Sequence, residues 1–136
     1  MAYWLLKTEP GTYSYQDLER DRQTVWDGVK NNLALKNIRS MKKGDLTLIY
    51  HTGDEKAIVG IAEVSSDPMP DPGKADPRLV VIRLKPKEKL RRAVPLSEVR
   101  GVKEFGDFAL VRLPRLSVMP VDTRQWTLLL AMAKQG

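Results

Sequence analysis

The chain has no cysteine and only one histidine, His51. Disulfides and thiolate metal centres are therefore excluded. With one imidazole and no ligand spacing around it, no metal site is expected. Neither common glycine-rich phosphate-binding motif is present, and no nucleophile elbow appears, so nothing in the sequence calls for a cofactor. No apolar run approaches the roughly 20 residues that cross a bilayer. The segment Met1-Ala2-Tyr3-Trp4-Leu5-Leu6 has neither the basic start nor the long apolar stretch of a secretion signal. The expectation is a cytoplasmic protein, without membrane or metal, monomeric, with residues 1–136 forming one domain that carries no internal repeat.

Hydrophobic and charged fractions of 42% and 29% are ordinary for a globular domain of this size. The charge is not balanced: 23 Lys and Arg face 17 Asp and Glu, a net +6, which leans toward polyanionic partners. The cations gather at Lys36, Arg39, Lys42 and Lys43, again from Arg83 through Lys85, Lys87 and Lys89 to Arg92, and at Arg112 and Arg115. Lys85, Lys87 and Lys89 alternate, so on a strand they share one face, readable either as a solvated face or as a phosphate track.

The residues around which the rest is arranged are Trp26-Asp27-Gly28-Val29-Lys30-Asn31. Trp26 offers a flat ring on which a nucleobase can stack, Gly28 a tight turn without Cβ, Lys30 a cation for phosphate, and Asn31 the donors and acceptor that read a heterocycle edge. The competing reading makes Trp26 a core anchor ahead of a capped helix.

In chain order, Tyr3–Thr8 reads as a strand. Ser14 and Asp17 form a capping box that opens a short helix to about Asp21. Ala34, Ile38 and Met41 recur at helical spacing and predict a helix over Lys30–Met41, stopped by Lys42-Lys43-Gly44-Asp45. Leu46–His51 and Ala57–Ser65 are strands around a turn at Thr52–Glu55. Ser66–Pro77, with Pro68, Pro70, Pro72 and Pro77, is a loop. Further strands are predicted over Leu79–Lys85 and, more weakly, Leu90–Val94, followed by a short helix over Pro95–Val102 and an irregular linker over Phe105–Arg112. Leu116–Val121 is a strand whose proline implies an edge or a bulge. Asp122 and Gln125 cap a last helix with Trp126, Leu129, Leu130 and Ala133 inward. The pattern is α+β: five to six strands in a curved sheet or small barrel with flanking helices.

Lys7-Thr8-Glu9 is the one constellation that suggests hydrolysis of an amide. Strand alternation points Lys7 and Glu9 one way and Thr8 the other, so an anchoring role is expected instead. His51 is expected as a hydrogen-bonding residue at a strand end.

Several stretches together resemble the EVE domain, a PUA-like family. They are Tyr3–Pro10, Tyr13-Ser14 with Asp17-Leu18, Trp26–Asn31, then Ala34, Ile38, Arg39, Met41 and Gly44-Asp45. Tyr50-His51-Thr52, Val59–Ala62, Arg115–Val121 and Trp126 complete them. The resemblance implies a PUA-like curved barrel and a reader of modified cytosines in DNA or RNA, that is, a binding module; an ASCH-like hydrolase or other enzyme acting on a modified nucleoside is the runner-up. It implies ligand contacts from Trp26 by stacking, from Ser14 and Asn31 at the base edge, from Lys7, Lys30, His51 and Thr52 through polar or phosphate contacts, and from Tyr50 as a second wall. The nucleic-acid backbone is expected along Lys36, Arg39, Lys42, Lys43, Lys85, Lys87 and Lys89. The chain departs from the family pattern at Asn32-Leu33-Ala34-Leu35-Lys36, which replaces an aromatic-Gln-Ala-Arg-Asn run. Lys30 replaces an arginine, losing bidentate geometry, and Thr8 and Thr52 replace serines.

Overall fold

The computed structural model describes residues 1–134. Its centre is strand β1 (Tyr3–Thr8), whose Trp4, Leu5 and Leu6 are all buried. A strand apolar on both faces must be flanked on both edges. β1 pairs in parallel with β3 (Leu46–His51), matching Lys7 to Tyr50, and antiparallel with β7 (Val118–Val121), matching Leu6 to Val118. β3 turns antiparallel into β4 (Ala57–Val64), and β4 pairs with the 16-residue β6 (Val80–Pro95). β2 (Thr24–Trp26) closes the order β2-β6-β4-β3-β1-β7, while the two-residue β5 (Met69–Pro70) adds to β6. Register shifts between Ile58 and Gly60, and between Ile61 and Ala62, bend β6 around β4 and curl the sheet into a half-barrel.

The fold class is α+β, as the pattern of elements implies. Two strands were expected where the single β6 runs. Pro86 makes the stretch look broken, yet it is tolerated because it lies opposite Ala62, at one of the register shifts. β2 and β5 fall in segments read as a turn and a loop. The proline of β7 is Pro120, exposed on an edge strand that pairs only with β1.

Helix α1 (Tyr15–Asp21) begins at the expected capping box: Ser14 Oγ accepts from Asp17 N at 3.0 Å and Ser14 N donates to Asp17 Oδ2 at 2.9 Å. Helix α2 (Asn32–Arg39) is shorter than its apolar spacing suggests, because Asn31 itself caps it, accepting from Ala34 N at 3.0 Å. Ala34, Leu35 and Ile38 of α2 are buried, and Asn37 Nδ2 donates to Val118 O at 2.7 Å. The helix packs on both β6 and β7 and so fills the seam between the two arms of the half-barrel. The expected linker contains α4 (Ala109–Arg112), just after a single 3-10 turn at Lys103–Phe105, with Phe105, Phe108 and Leu110 buried. α3 (Leu96–Arg100) follows β6, and α5 (Thr123–Lys134) closes the sequence with Trp126 stacked on Tyr3 at 4.3 Å.

Candidate functional site

At the carboxyl ends of β1 and β3 the half-barrel opens into a cleft with two lobes. Lys7, Thr8, Glu9 and Ser117 border both. The first lobe, about 630 Å³, lies where the edge strand β2 comes round to the end of β1, and its far wall is Thr24–Lys30. The second, about 450 Å³, opens beside Tyr50 and runs toward α3 and the segment Pro114–Arg115.

Trp26 ends β2 opposite Ile82 and lines the first lobe. It is only 8% exposed, so most of the indole is packed and the remainder forms wall. Tyr13 meets it edge-on, with ring centres 6.3 Å apart at 84°, a favourable aromatic geometry. The Tyr13 hydroxyl donates to Asp21 at 2.9 Å, and burial, its largest cause, raises its pKa. No protein acceptor for the Trp26 indole N–H exists among the described residues, whereas Trp4 Nε1 donates to the buried Asp45 at 3.0 Å. Gly28, at φ 77°, turns the chain so that Asp27, Val29 and Lys30 face the same lobe.

Lys7 stands between the lobes. Its Nζ donates to Pro114 O at 2.8 Å and lies 5.6 Å from the centre of the Tyr50 ring. Burial lowers its pKa. Burial likewise raises that of Tyr50, against the opposing pull of Arg100. Thr8 Oγ1 donates to Tyr13 O at 2.6 Å, and Glu9 accepts from Gly11 N and from Thr52 Oγ1.

Of the residues singled out from sequence, Trp26, Lys30 and Lys7 meet in the first lobe, and Lys7, Tyr50 and Thr52 in the second. Ser14, Asn31 and His51 line neither. Ser14 and Asn31 spend their polar atoms on helix caps. His51 accepts at Nε2 from Tyr15 N at 3.0 Å, which places the ring proton on Nδ1, facing Glu55 Oε1 at 2.7 Å. The backbone-contact lysines and arginine also lie outside both linings. Lys36 and Arg39 are on the exposed side of α2, where Arg39 donates to Arg78 O. Lys42 and Lys43 lie in the exposed turn before β3. Lys85 pairs with Glu63 at 3.5 Å, while Lys87 and Lys89 are exposed on β6. The cleft adds Tyr13, Asp27, Lys56, Arg100 and Arg115. Tyr13 could have been found from its place in a matching block. Arg115 likewise opens a matching block and belongs to a basic cluster, whereas Arg100 carries no local signal, because only the tertiary fold brings it to the cleft.

Among solved structures, a Rhodopseudomonas palustris protein, Rpa0253, is 35% identical, with a TM-score of 0.93 over 98% of this chain and 93% of that one. Human THYN1 protein in complex with 5-methylcytosine containing DNA superposes with a TM-score of 0.90 at 24% identity, covering 100% of this chain and 99% of that one, a likeness of fold. Chicken thymocyte nuclear protein 1 is 26% identical over 98% of this chain and 69% of its own length. The model of the EVE domain matches residues 2–132, and the chain belongs to the EVE domain family.

Proposed function

We propose that the protein binds nucleic acid and reads a modified base, a modified cytosine in DNA or RNA, extruded into the first lobe. The observation that carries this reading is the aromatic corner of Trp26 and Tyr13 in the wall of an open cleft of about 630 Å³. That volume is in the range of about 300–1,000 Å³ typical of small-ligand sites. A flipped base stacks on an aromatic face and offers its edge to nearby polar groups. Lys30 stands in the same wall as a polar group for that edge. The solved complex of human THYN1 with 5-methylcytosine containing DNA, on the same fold, supports a modified cytosine as the ligand.

The hydrolase alternative needs a nucleophile, a base and a carboxylate aimed at one another. Lys7, Thr8 and Glu9 are instead engaged by Pro114, Tyr13 and Thr52 respectively. This favours binding over bond cleavage.

The test is an anisotropy titration with DNA and RNA oligonucleotides that differ only in one cytosine, unmodified or carrying a 5-methyl or 5-hydroxymethyl group. A methyl-sized increment in a fitted pocket is worth about 1–3 kcal/mol, so a preference of about tenfold or more is expected. Equal affinity for every oligonucleotide would overturn the reading.

A further inference from the structure

Four cations border the second lobe, Lys7, Lys56, Arg100 and Arg115, against one carboxylate, Glu9. Glu9 already accepts from the Gly11 amide at 3.2 Å and the Thr52 hydroxyl at 3.3 Å. Arg20, Arg78, Arg92 and Arg112 all have acidic partners. Lys56, Arg100 and Arg115 have none among the described residues and are exposed. Lys56 also holds a left-handed backbone, φ 46°, where the hairpin enters β4. Such a conformation is costly for a residue with a side chain, and strain of this kind gathers at ligand sites. Beneath the cations, Tyr50, Leu96, Leu110 and Pro114 supply a largely apolar floor.

An apolar floor with unpaired cations along its rim matches a sugar-phosphate unit. The ribose or deoxyribose lies on the floor, and guanidinium groups grip phosphate oxygens in bidentate fashion. Lys7, Thr8, Glu9 and Ser117 border both lobes, so a nucleotide adjoining the extruded one reaches the second lobe without leaving the cleft.

We propose that the second lobe is a phosphodiester subsite, in which Arg100, Arg115 and Lys56 hold the strand next to the base in the first lobe. The proposal rests on the base-reader reading. It routes the strand across the mouth of the half-barrel, where the cations are unpaired, rather than along β6, where Lys85 is already paired with Glu63 and Glu88 interrupts the lysines.

The experiment measures the binding of a fluorescein-labelled single-stranded oligonucleotide with one 5-methylcytosine, as a function of salt. Wild type, Arg100→Ala/Arg115→Ala and Lys85→Gln/Lys87→Gln/Lys89→Gln are compared. Each lost phosphate contact on a single strand flattens the log–log salt slope by about 0.7, so the arginine pair should flatten it by about 1.4. The lysine triple variant should leave the slope unchanged. A second oligonucleotide carries neutral methylphosphonates on either side of the methylcytosine. It should bind more weakly than the charged one to wild type, and with a clearly smaller loss to the arginine variant, which keeps Lys56. An Arg100→Lys/Arg115→Lys variant separates charge from fold: it should restore the slope while recovering only part of the affinity.

An unchanged slope in the arginine variant, or a methylphosphonate penalty that persists in it at full size, would overturn the subsite. So would flattening by the lysine triple variant alone. If free 5-methyl-dCMP binds as tightly as the oligonucleotide and depends equally on the two arginines, the lobe serves a free nucleotide and the strand assignment is wrong. The charge arms do not depend on base preference. A wild type that binds methylated and unmethylated strands equally would sink the base-reader reading, while the slopes still decide on the subsite.

Discussion

Tyr15 occupies the space that a side chain on residue 60 would need. A Cβ built on Gly60 would stand 2.6 Å from Tyr15 Cδ1 and closer still to Cε1 and Cζ. The contact is fixed from both ends, because the Tyr15 hydroxyl donates to Ile61 O at 2.7 Å and its amide donates to His51 Nε2 at 3.0 Å. Helix α1 is thereby locked onto β4 at the register shift between Ile58 and Gly60. Gly60→Ala should cost about 1–3 kcal/mol or more, since ring and backbone must separate. Chemical denaturation at constant m-value measures it, and an unchanged midpoint would show that the ring can slide away freely.

The same tyrosine makes stability depend on alkaline pH. Burial, the largest cause, raises its pKa from an ordinary value of 10 to about 12. The folded state therefore holds the proton more tightly than the unfolded chain. Its contribution is complete below pH 10 and is lost as pH rises from about 10 to about 12, and is of the order of 2 kcal/mol. Tyr15→Phe removes this term, and the remaining tyrosines titrate in both proteins. The stability gap between wild type and Tyr15→Phe should narrow across that window. A gap that stays constant to pH 12 would contradict the assignment.

Trp26 is both packing and wall, so its variants must be read on two scales. Trp26→Ala should cost about 3–5 kcal/mol of folding stability, as expected for a ring that is 8% exposed. Trp26→Phe keeps a ring while losing the indole N–H. For a stacking residue it should retain most of the binding to a 5-methylcytosine oligonucleotide, of which a base–aromatic stack supplies about 1–3 kcal/mol. Thermal unfolding and titration of the same samples separate the two effects. Loss of binding in Trp26→Phe only in proportion to lost stability would mean that the ring does no more than pack.

Asn31 offers a contrast. Its side chain is committed to Ala34 N, and Asn31→Ala should cost about 1 kcal/mol of stability. Asn31→Asp or Asn31→Ser should restore the cap. If affinity for the modified oligonucleotide falls in all three while stability recovers in the last two, the amide contacts the base as well.

What could be read in advance divides along physical lines. Signals that act within a short stretch of chain were legible: the Ser14–Asp17 box, the apolar stripe of Trp126 and Leu129, and the continuous β-rich apolar runs of β1, β3 and β4. Asn31, Ser14 and His51 were expected in the pocket because an amide, a hydroxyl and an imidazole serve a cap as well as a ligand. Local sequence does not say which demand is met first. β2 is three residues long, too short for a period, so Trp26 looked like part of a turn. The continuity of β6 through Pro86 depends on a register shift opposite Ala62, a property of two strands rather than one. The cationic rim of the second lobe was illegible for the same reason, since Lys56, Arg100 and Arg115 converge only after the sheet has curled.

The pairing of β1 also sets an order of events during folding. Its β3 edge is completed by residues 46–51, a loop of about forty residues, whereas its β7 edge waits for residues 118–121. During synthesis the row of amides and carbonyls on the β7 side of Leu5 and Leu6 must stay open while more than a hundred residues emerge. An apolar edge left open in that way is a template for strands of other chains. Long-range closure of this kind is also slow. Chains interrupted before β7 should be captured by chaperones and prone to aggregate even though the β3–β4 hairpin is complete, and amide-exchange protection at Leu5 and Leu6 should rise only with the arrival of Val118 and Met119.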